Sequence, residues 1–333
     1  MTRSAVLAGI GSFLPSRRVT NEHLTARLDT SDEWIRTRTG IRQRYFAEPG
    51  TTTSDLAAEA GARAMKSAGL AEVDAVVLAT TTPDRPCPAT APTVAAKLGL
   101  VGCPAFDVQA VCTGFVYALA TACGLLAAGG ADTVLVIGAE MFSTILNPAD
   151  RTTSVIFGDG AGAMVVRAAR AADGGAIGPF DLGSDGTGAD LITVRAGGAE
   201  QRRGRSAPTA GDEYFSMAGR EVFRQAVEHM AASARAVLSR AGWQAGDIDW
   251  LACHQANLRI LVRLADVLGI PEARVLANIA AVGNTSAASI PLVLDQAHQA
   301  GRFQAGDRLL LSAFGGGLTW GSTVLTWPDL TRP

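Results

Sequence analysis

The sequence predicts a layered α/β fold made of two copies of one unit, five layers deep, with two buried helices between two sheets. Three observations predict it. Strand-like apolar runs alternate with helical runs along the chain, the pattern of sheets joined by helical crossovers. The chain repeats itself at a nearly constant offset. Two helical stretches, opening at Cys112 and near Asn284, are hydrophobic all round, which suits helices covered on every side.

The repeat shows as five ordered matches with offsets of 170 to 175 residues. Ala62–Met65 leads through Ala68-Gly69 and Val73-Asp74 to a strand, Ala75–Thr80. Ala234–Val237 leads through Ala241-Gly242 and Ile248-Asp249 to a strand, Trp250–His254. Ala95–Leu100 matches Ala265–Ile270. The helix opening at Cys112 matches the helix opening at Gly283-Asn284-Thr285-Ser286. Ala131-Asp132 with strand Thr133–Gly138 matches Gly306-Asp307 with strand Arg308–Ala313. The halves are then 1–175 and 176–333, with mostly parallel sheets and right-handed crossovers. The two buried helices should meet end to end near a pseudo-twofold axis, so Cys112 and Asn284 should face one another.

In chain order, Arg3 followed by Ala5–Leu14 has the outline of a signal peptide, but Gly9 and Gly11 interrupt it and Arg17-Arg18 follow it. A first core strand, Ala5–Gly11, is the better reading. Cys112 to Gly130 is uncharged and long enough to span a bilayer. Its Ala, Gly and Thr content and its place between strands favour a helix, Thr113 to Ala128, buried by sheets. A helix is expected over Arg220–Leu238. Gly197 to Gly211 is polar, Gly-rich and basic and reads as a mobile surface loop or insertion, with or without a partner.

The net charge of −2 and pI of about 6.1 exclude an electrostatic nucleic-acid or acidic-membrane surface. Five cysteines without CxxC spacing argue against a disulfide framework or a zinc site and fit a reducing cytoplasm. No metal or cofactor is implied.

The chemistry concentrates in four short stretches. A largely apolar run, Pro104 to Val111, delivers Cys112 to a helix start. Free N–H groups and the helix dipole there favour thiolate, the nucleophilic form. A buried cysteine used as a small hydrophobe is the alternative. His254 closes a strand, where α/β folds place chemistry. Of the other three histidines, His23 lies in a polar N-terminal segment beside Glu22, and His229 and His298 read as surface residues. Asn284 is either a helix N-cap or a site amide. The run Gly315-Gly316-Gly317 is either a turn or a backbone that approaches a substrate oxygen.

Taken together, QAVCTGF, HQANLR, GNTSAASIP, FGGGLTWGS and Thr30–Ile41 (TSDEWIRTRTGI) resemble β-ketoacyl-[acyl-carrier-protein] synthase III over essentially the whole chain. The resemblance implies a thiolase-like five-layer αβαβα fold. It implies a catalytic triad of Cys112, His254 and Asn284, with an oxyanion hole from the N–H groups of Cys112 and Gly316. It implies acyl-CoA as substrate, gripped by Trp34, Arg38 and Arg151, with Gly219, Phe223 and Asn257 along the pantetheine tunnel. Malonyl-acyl carrier protein would dock on Arg224, Arg259 and Arg263. Cys87 and Phe142 would bound the acyl pocket, Cys87 acting across a homodimer. The expected reaction is acylation of Cys112, then decarboxylative condensation that starts fatty-acid or polyketide synthesis. No nucleic acid, membrane or cofactor takes part.

Three departures from that family's pattern stand out. Arg220 follows Gly219 where asparagine is common. Asp266 and Val267 occupy positions often held by lysine, which thins the carrier face. Cys87 replaces an aromatic, leaving room for a starter larger than acetyl. An acyltransferase that passes the acyl group to an alcohol, amine or carrier thiol without decarboxylation is the competing reading, and a non-catalytic carrier-binding subunit is a third. Thiolases fit less well because Ala313-Phe314 precedes the late glycines where they place a second cysteine. Elongating synthases carry histidine where this chain has Asn284. Gly158–Gly162 lacks the spacing of a dinucleotide loop.

Overall fold

The computed structural model describes residues 3–170, 176–204 and 209–331. Nine strands form the main sheet: β1 (Arg3–Phe13), β2 (Ala75–Ala79), β3 (Ala105–Val108), β4 (Thr133–Glu140), β5 (Gly160–Arg170), β6 (Ala176–Ser184), β7 (Trp250–Cys253), β8 (Arg308–Gly315) and β9 (Thr319–Thr326). Their spatial order is β7-β8-β9-β6-β1-β5-β4-β2-β3. The principal helices are α1 (Asp32–Thr39), α2 (Thr53–Ala68), α3 (Ala91–Lys97), α4 (Gly114–Ala127), α5 (Gly219–Ala241), α6 (Leu258–Leu268) and α7 (Ser289–Gln299).

The layers follow from which faces are apolar. α2 and α3 cover one outer face, against the strands of the first half. α5 and α6 cover the opposite outer face, against β7, β8 and β9. α4 and α7 touch strands of both halves and fill the middle. Phe115, Leu119 and Leu126 of α4 and Leu292 and Leu294 of α7 are fully enclosed there. No helix among the described residues is long and apolar enough to cross a membrane.

Two expectations about the sheet need correction. The halves do not form separate sheets, because β1 pairs with β6 through Ala5 and Val6, joining all nine strands. Nor are the strands mostly parallel. Only β7–β8, β2–β3 and β2–β4 run parallel, and the other five neighbouring pairs are antiparallel. The reason lies in the connections. Three residues, Gly316 to Leu318, join β8 to β9, and a link that short permits only a hairpin. Between β4 and β5 the chain carries a 3-10 turn, Phe142–Ile145, and no crossover α-helix.

The internal repeat recurs in backbone detail. α2 ends on Gly69 and α5 on Gly242, both left-handed, at φ 67° and 69°. The buried helices each follow a 3-10 turn, Val111–Thr113 before α4 and Ser286–Ala288 before α7. Each turn opens on a non-glycine residue at φ 48°, Val111 and Ser286. The expected boundary at 175/176 adjoins residues 171–175, which lie outside the described residues. Gly197 to Gly211 carries a short exposed helix, Ala199–Arg202, and its residues 205–208 also lie outside.

Two glycines test this packing. A Cβ at Gly138 of β4 would lie 2.4 Å from the main-chain oxygen of Ala287, so Gly138→Ala should lose about 1–3 kcal/mol through overpacking. A Cβ at Gly124 of α4 meets nothing within 4 Å, so Gly124→Ala should gain up to ~1 kcal/mol from helix propensity. Urea denaturation of both variants measures the contrast, and a neutral Gly138→Ala would show that the turn after Asn284 can shift.

Candidate active site

β3 carries the chain toward Cys112, which sits in the 3-10 turn rather than in α4 itself. The end of β8 presses on this turn. A Cβ at Gly315 would lie 2.8 Å from the Cys112 nitrogen, so only glycine allows the approach. Cys112 keeps 9% of its surface exposed. The expected ready thiolate is not found. Burial pushes the Cys112 thiol up to about 12, and the charge of Glu140 adds to the rise. The Ser286 side chain and the residue's own N–H pull the other way but are outweighed. Dipoles at a helix end do not offset removal of the sulfur from water.

His254 follows β7 and is 3% exposed. Burial drives its pKa down to about 3, against a pull from the main chain of Ser286, so the ring is neutral. Its Nδ1 lies 2.7 Å from Ser289 Oγ, and that hydroxyl also accepts the Gln255 N–H at 3.3 Å. Asn284 is buried and is not a helix N-cap. Its Oδ1 accepts the Ser286 N–H at 2.9 Å. Its main chain bonds to Ile156 and Gly158. With Oδ1 taken, the amide hydrogens on Nδ2 remain for the site.

Cys112, His254 and Asn284 therefore meet on one residue. Ser286 acts on the Cys112 thiol through its side chain, faces His254 through its main chain and bonds Asn284 through its N–H. The turn that carries Cys112 contacts the Ser286–Ala288 turn that follows Asn284.

Two supports escaped the sequence reading. Glu140 ends β4, fully buried, with its carboxylate accepting the Thr81 N–H at 3.1 Å, the Thr82 hydroxyl at 2.9 Å and the Ser286 hydroxyl at 3.1 Å. Burial pushes its pKa up to about 7. A single carboxylate closing an otherwise apolar strand was the available signal. Arg44 is also fully buried. It donates to Asn21 Oδ1 at 2.7 Å and to the carbonyls of Val155 and Val19 at 2.5 and 3.3 Å. Burial lowers its pKa to about 10. Its Cβ would lie 3.0 Å from a Cβ at Gly158 or at Gly283, so its stem packs against the loop that holds Asn284. Nothing in the sequence around Arg44 marks it.

A cavity of about 670 Å³ opens beside Cys112, lined by Thr81, Val111, Ile145, Ile192, Phe215 and Gly316 among others. Phe142 does not line it. Phe142 lies behind Phe215, with ring centroids 5.0 Å apart, and stacks on Phe157 at 4.0 Å. Cys87 is exposed and outside this cavity within one chain, although Pro86 lines it.

On another face, α1 starts at a Ser31 cap that accepts the Trp34 N–H at 3.1 Å, and it stops at Gly40, φ 81°. Arg38 and Arg151 lie 6.0 and 5.6 Å from the Trp34 ring centroid. Asn257 joins this face to α6: its Nδ2 donates to the Arg38 carbonyl and its Oδ1 accepts the Arg259 N–H. Gly219 is exposed at the start of α5 and Phe223 is half-buried one turn on. Arg259 sits 5.8 Å from the Phe223 ring. A groove of about 620 Å³ runs along α6 past Arg259, Arg263 and Asp266. Arg263 is paired with Asp266, and Arg224 with Glu221 and Glu228.

Two histidines were misplaced by the sequence reading. His229 is half-buried, stacked 4.0 Å from Trp320, and His298 is buried beside Trp327. His23 is exposed.

Comparison with known proteins adds the following. The family described as 3-Oxoacyl-[acyl-carrier-protein (ACP)] synthase III matches residues 106–186, and its C-terminal counterpart matches residues 238–327. A curated relative from Streptomyces coelicolor, beta-ketoacyl-[acyl-carrier-protein] synthase III 3, is 64% identical over 98% of both chains. The crystal structure of 3-oxoacyl-(acyl carrier protein) synthase III from Pseudomonas aeruginosa superposes with a TM-score of 0.92 at 51% identity, covering 99% of this chain and 100% of that one. The priming beta-ketosynthase from the R1128 polyketide biosynthetic pathway also gives 0.92, at 38% identity, over 99% and 98% of the two chains.

The buried imidazole makes a pH prediction. With a folded pKa near 3, His254 should show no protonation shift in its ring NMR signals between pH 8 and pH 5. Because the unfolded ring takes up a proton below about 6.5 while the folded ring does not, stability should fall as pH drops from there toward 3. A His254 midpoint near 6.5 would contradict both.

Proposed function

The chain belongs to the 3-oxoacyl-[acyl-carrier-protein] synthase III family of condensing enzymes, and from that premise we propose how its own residues carry the reaction. Cys112 attacks the carbonyl of an acyl-CoA. The oxyanion is held by the N–H groups of Cys112 and Gly316, where loss of one such donor costs about 3–4 kcal/mol of barrier. The thioester collapses, CoA leaves as its thiol, and acyl-Cys112 remains. Malonyl-acyl carrier protein then enters and loses carbon dioxide. The electron pair passes onto the thioester oxygen as an enolate, and the enolate carbon attacks acyl-Cys112; collapse breaks the acyl–sulfur bond, releases Cys112 and leaves a β-ketoacyl thioester on the carrier.

His254 and Asn284 stabilise the enolate oxygen as neutral donors. Ser289 Oγ already accepts the Gln255 N–H. We assign its own hydrogen to His254 Nδ1, which leaves the ring proton on Nε2 for the substrate. Asn284 offers Nδ2 because Ser286 occupies Oδ1. The observation that carries this reading is the shared contact of all three residues with Ser286.

The CoA end would lie on Trp34, Arg38 and Arg151, whose cation–ring geometry suits an adenine nucleotide. Gly219, Phe223 and Asn257 would flank the pantetheine. A homodimer fits the sheet. β3 is an edge strand leading to Cys112, and its residues are only half-buried in a single chain. Pairing it with a second copy would cover the edge and would bring Cys87 to the partner's cavity. Five free thiols fit a cytoplasmic setting.

One observation favours the competing acyltransferase reading. On the face proposed for the carrier, Arg224 and Arg263 are each engaged by acidic neighbours on their own helix. Arg259 alone is left to meet an acidic carrier, so another acceptor gains ground.

Two experiments test these roles. After incubation with acyl-CoA, peptide mapping should place the acyl mass on Cys112 and nowhere in Cys112→Ala. Asn284→Ala should still load while its condensation falls about 10²–10³-fold; equal loss of both steps would make Asn284 structural. The second concerns the cavity of about 670 Å³. Wild type should load branched, medium-length or aryl acyl-CoAs at least as well as acetyl-CoA, since each methylene is worth roughly 1–3 kcal/mol. Cys87→Phe should turn that preference toward acetyl. An unchanged acyl profile in Cys87→Phe would place the cavity's limit at Phe215, which Phe142 backs.

A further inference from the structure

Glu140 is a buried carboxylate with no role in the reaction as derived so far. Its surroundings are polar but uncharged. From the end of β2 come the Thr81 N–H, 3.1 Å from both carboxylate oxygens, and the Thr82 hydroxyl at 2.9 Å. From the turn before α7 comes the Ser286 hydroxyl at 3.1 Å. Among the described residues no arginine, lysine or histidine forms an ion pair with it. The titratable groups that share its surroundings are Cys112, whose turn packs against the Ser286 turn and whose thiol the Ser286 side chain influences, and His254, which faces the Ser286 main chain.

Ser286 Oγ thus lies between two acids, Cys112 and Glu140, and has one hydrogen to give. When Glu140 is ionised, that hydrogen belongs to the carboxylate, and the oxygen's lone pairs face the Cys112 thiol. When Glu140 carries a proton, it can donate to Ser286 Oγ, and the hydroxyl turns to donate to sulfur. The two states differ by the position of one negative charge.

We propose that Glu140 is the proton acceptor for Cys112, reached through the Ser286 hydroxyl. The Cys112 thiol gives its proton to Ser286 Oγ as the Ser286 hydrogen passes to Glu140 Oε1. Thiol and carboxylate become thiolate and carboxylic acid, with no net change in charge or proton count. The thiolate attacks the acyl thioester, and the departing CoA sulfur takes a proton that Glu140 returns by the same route or that solvent supplies. Glu140 touches no substrate and acts through Ser286 as a positioning and proton-holding residue. The backbone supports the route. Ser286 is held at φ 48° with its N–H fixed on Asn284 Oδ1, so its side chain stays between the two acids. The alternative acceptor, His254, is committed to Ser289 and is the weaker base in this burial.

The inference rests on Cys112 being the nucleophile, and the test separates the two. Wild type, Glu140→Gln and Ser286→Ala are alkylated with iodoacetamide from pH 5 to 9.5, and the Cys112 peptide is quantified by mass. Wild-type reactivity should rise up to a break near the Glu140 value, about 7, and then level off, because the protonation state of the pair stops changing. In Glu140→Gln the break should vanish, with the rate at pH 7.5 down about tenfold and still climbing with pH, as for a lone thiol. Ser286→Ala keeps the Thr81 and Thr82 bonds to Glu140 and should give the same profile. The double variant should lose no more than either single one. Glu140→Asp should recover the break. Cys112 labelled in Glu140→Gln at the wild-type rate or faster, with the break retained, overturns the relay and leaves acylation of Cys112 standing. Absence of label on Cys112 in wild type overturns both.

Discussion

The site depends on one turn. Ser286 sits at φ 48°, a backbone state that non-glycine residues rarely occupy. Such strain persists only where the surroundings over-determine it. Here Asn284 Oδ1 holds the Ser286 N–H and Glu140 holds its hydroxyl. Gly138 lets β4 come within contact of Ala287, and the stem of Arg44 packs under Gly283. Each support comes from a different element. A shift of the turn by a few tenths of an ångström would move the partners of Cys112, His254 and Asn284 together. That common dependence lets residues as far apart in sequence as Cys112 and Asn284 act as a unit.

The same turn exists twice. Val111 matches Ser286 in backbone angle, and each leads a 3-10 turn into a buried helix. Two such helices packed in the middle layer bring their N-terminal turns into contact, and each brings the positive end of a helix dipole with it. A single copy would offer one polar helix start in an apolar interior. The pair allows division of labour: one turn supplies the sulfur, and the other supplies the amide and hydroxyl that face it. The glycine run after β8 then closes the arrangement, since Gly315 lets the strand end reach the Cys112 main chain.

The layers and the meeting of Cys112 with the Asn284 turn were readable because they rest on periodicity and on repetition, which a single sequence displays directly. Strand direction was not readable in the same way. Alternation of strands and helices suggested parallel pairing, but the short β8–β9 link and the helix-free β4–β5 link impose antiparallel neighbours. The charge state of Cys112 was misjudged for a related reason. A helix start is visible in sequence, while the depth of burial that overrides it belongs to the folded chain. Arg44 was invisible as a support, and Glu140 was passed over at the end of its apolar strand, because a charged residue reads as surface until its burial is known. His229 and His298 failed the same way, each stacked on a tryptophan far along the chain.

Burial sets the electrostatic logic of what remains. Cys112, His254 and Glu140 are all removed from water, and each is shifted toward its neutral form. In such a place a new charge is costly, whereas moving an existing one costs far less. The proposed reaction creates negative charge twice, on the acyl oxyanion and on the enolate oxygen. Neutral donors already aimed at those positions stabilise each charge without reorganising. A histidinium would bring its own desolvation cost and would hold the product enolate too well. The low His254 value therefore belongs with the amide of Asn284: both donate without carrying charge. Glu140, the one of the three that changes charge near neutral pH, is placed behind Ser286 and outside the lining of the cavity beside Cys112. There its charge can shift toward the sulfur when a nucleophile is needed without facing the enolate that forms later.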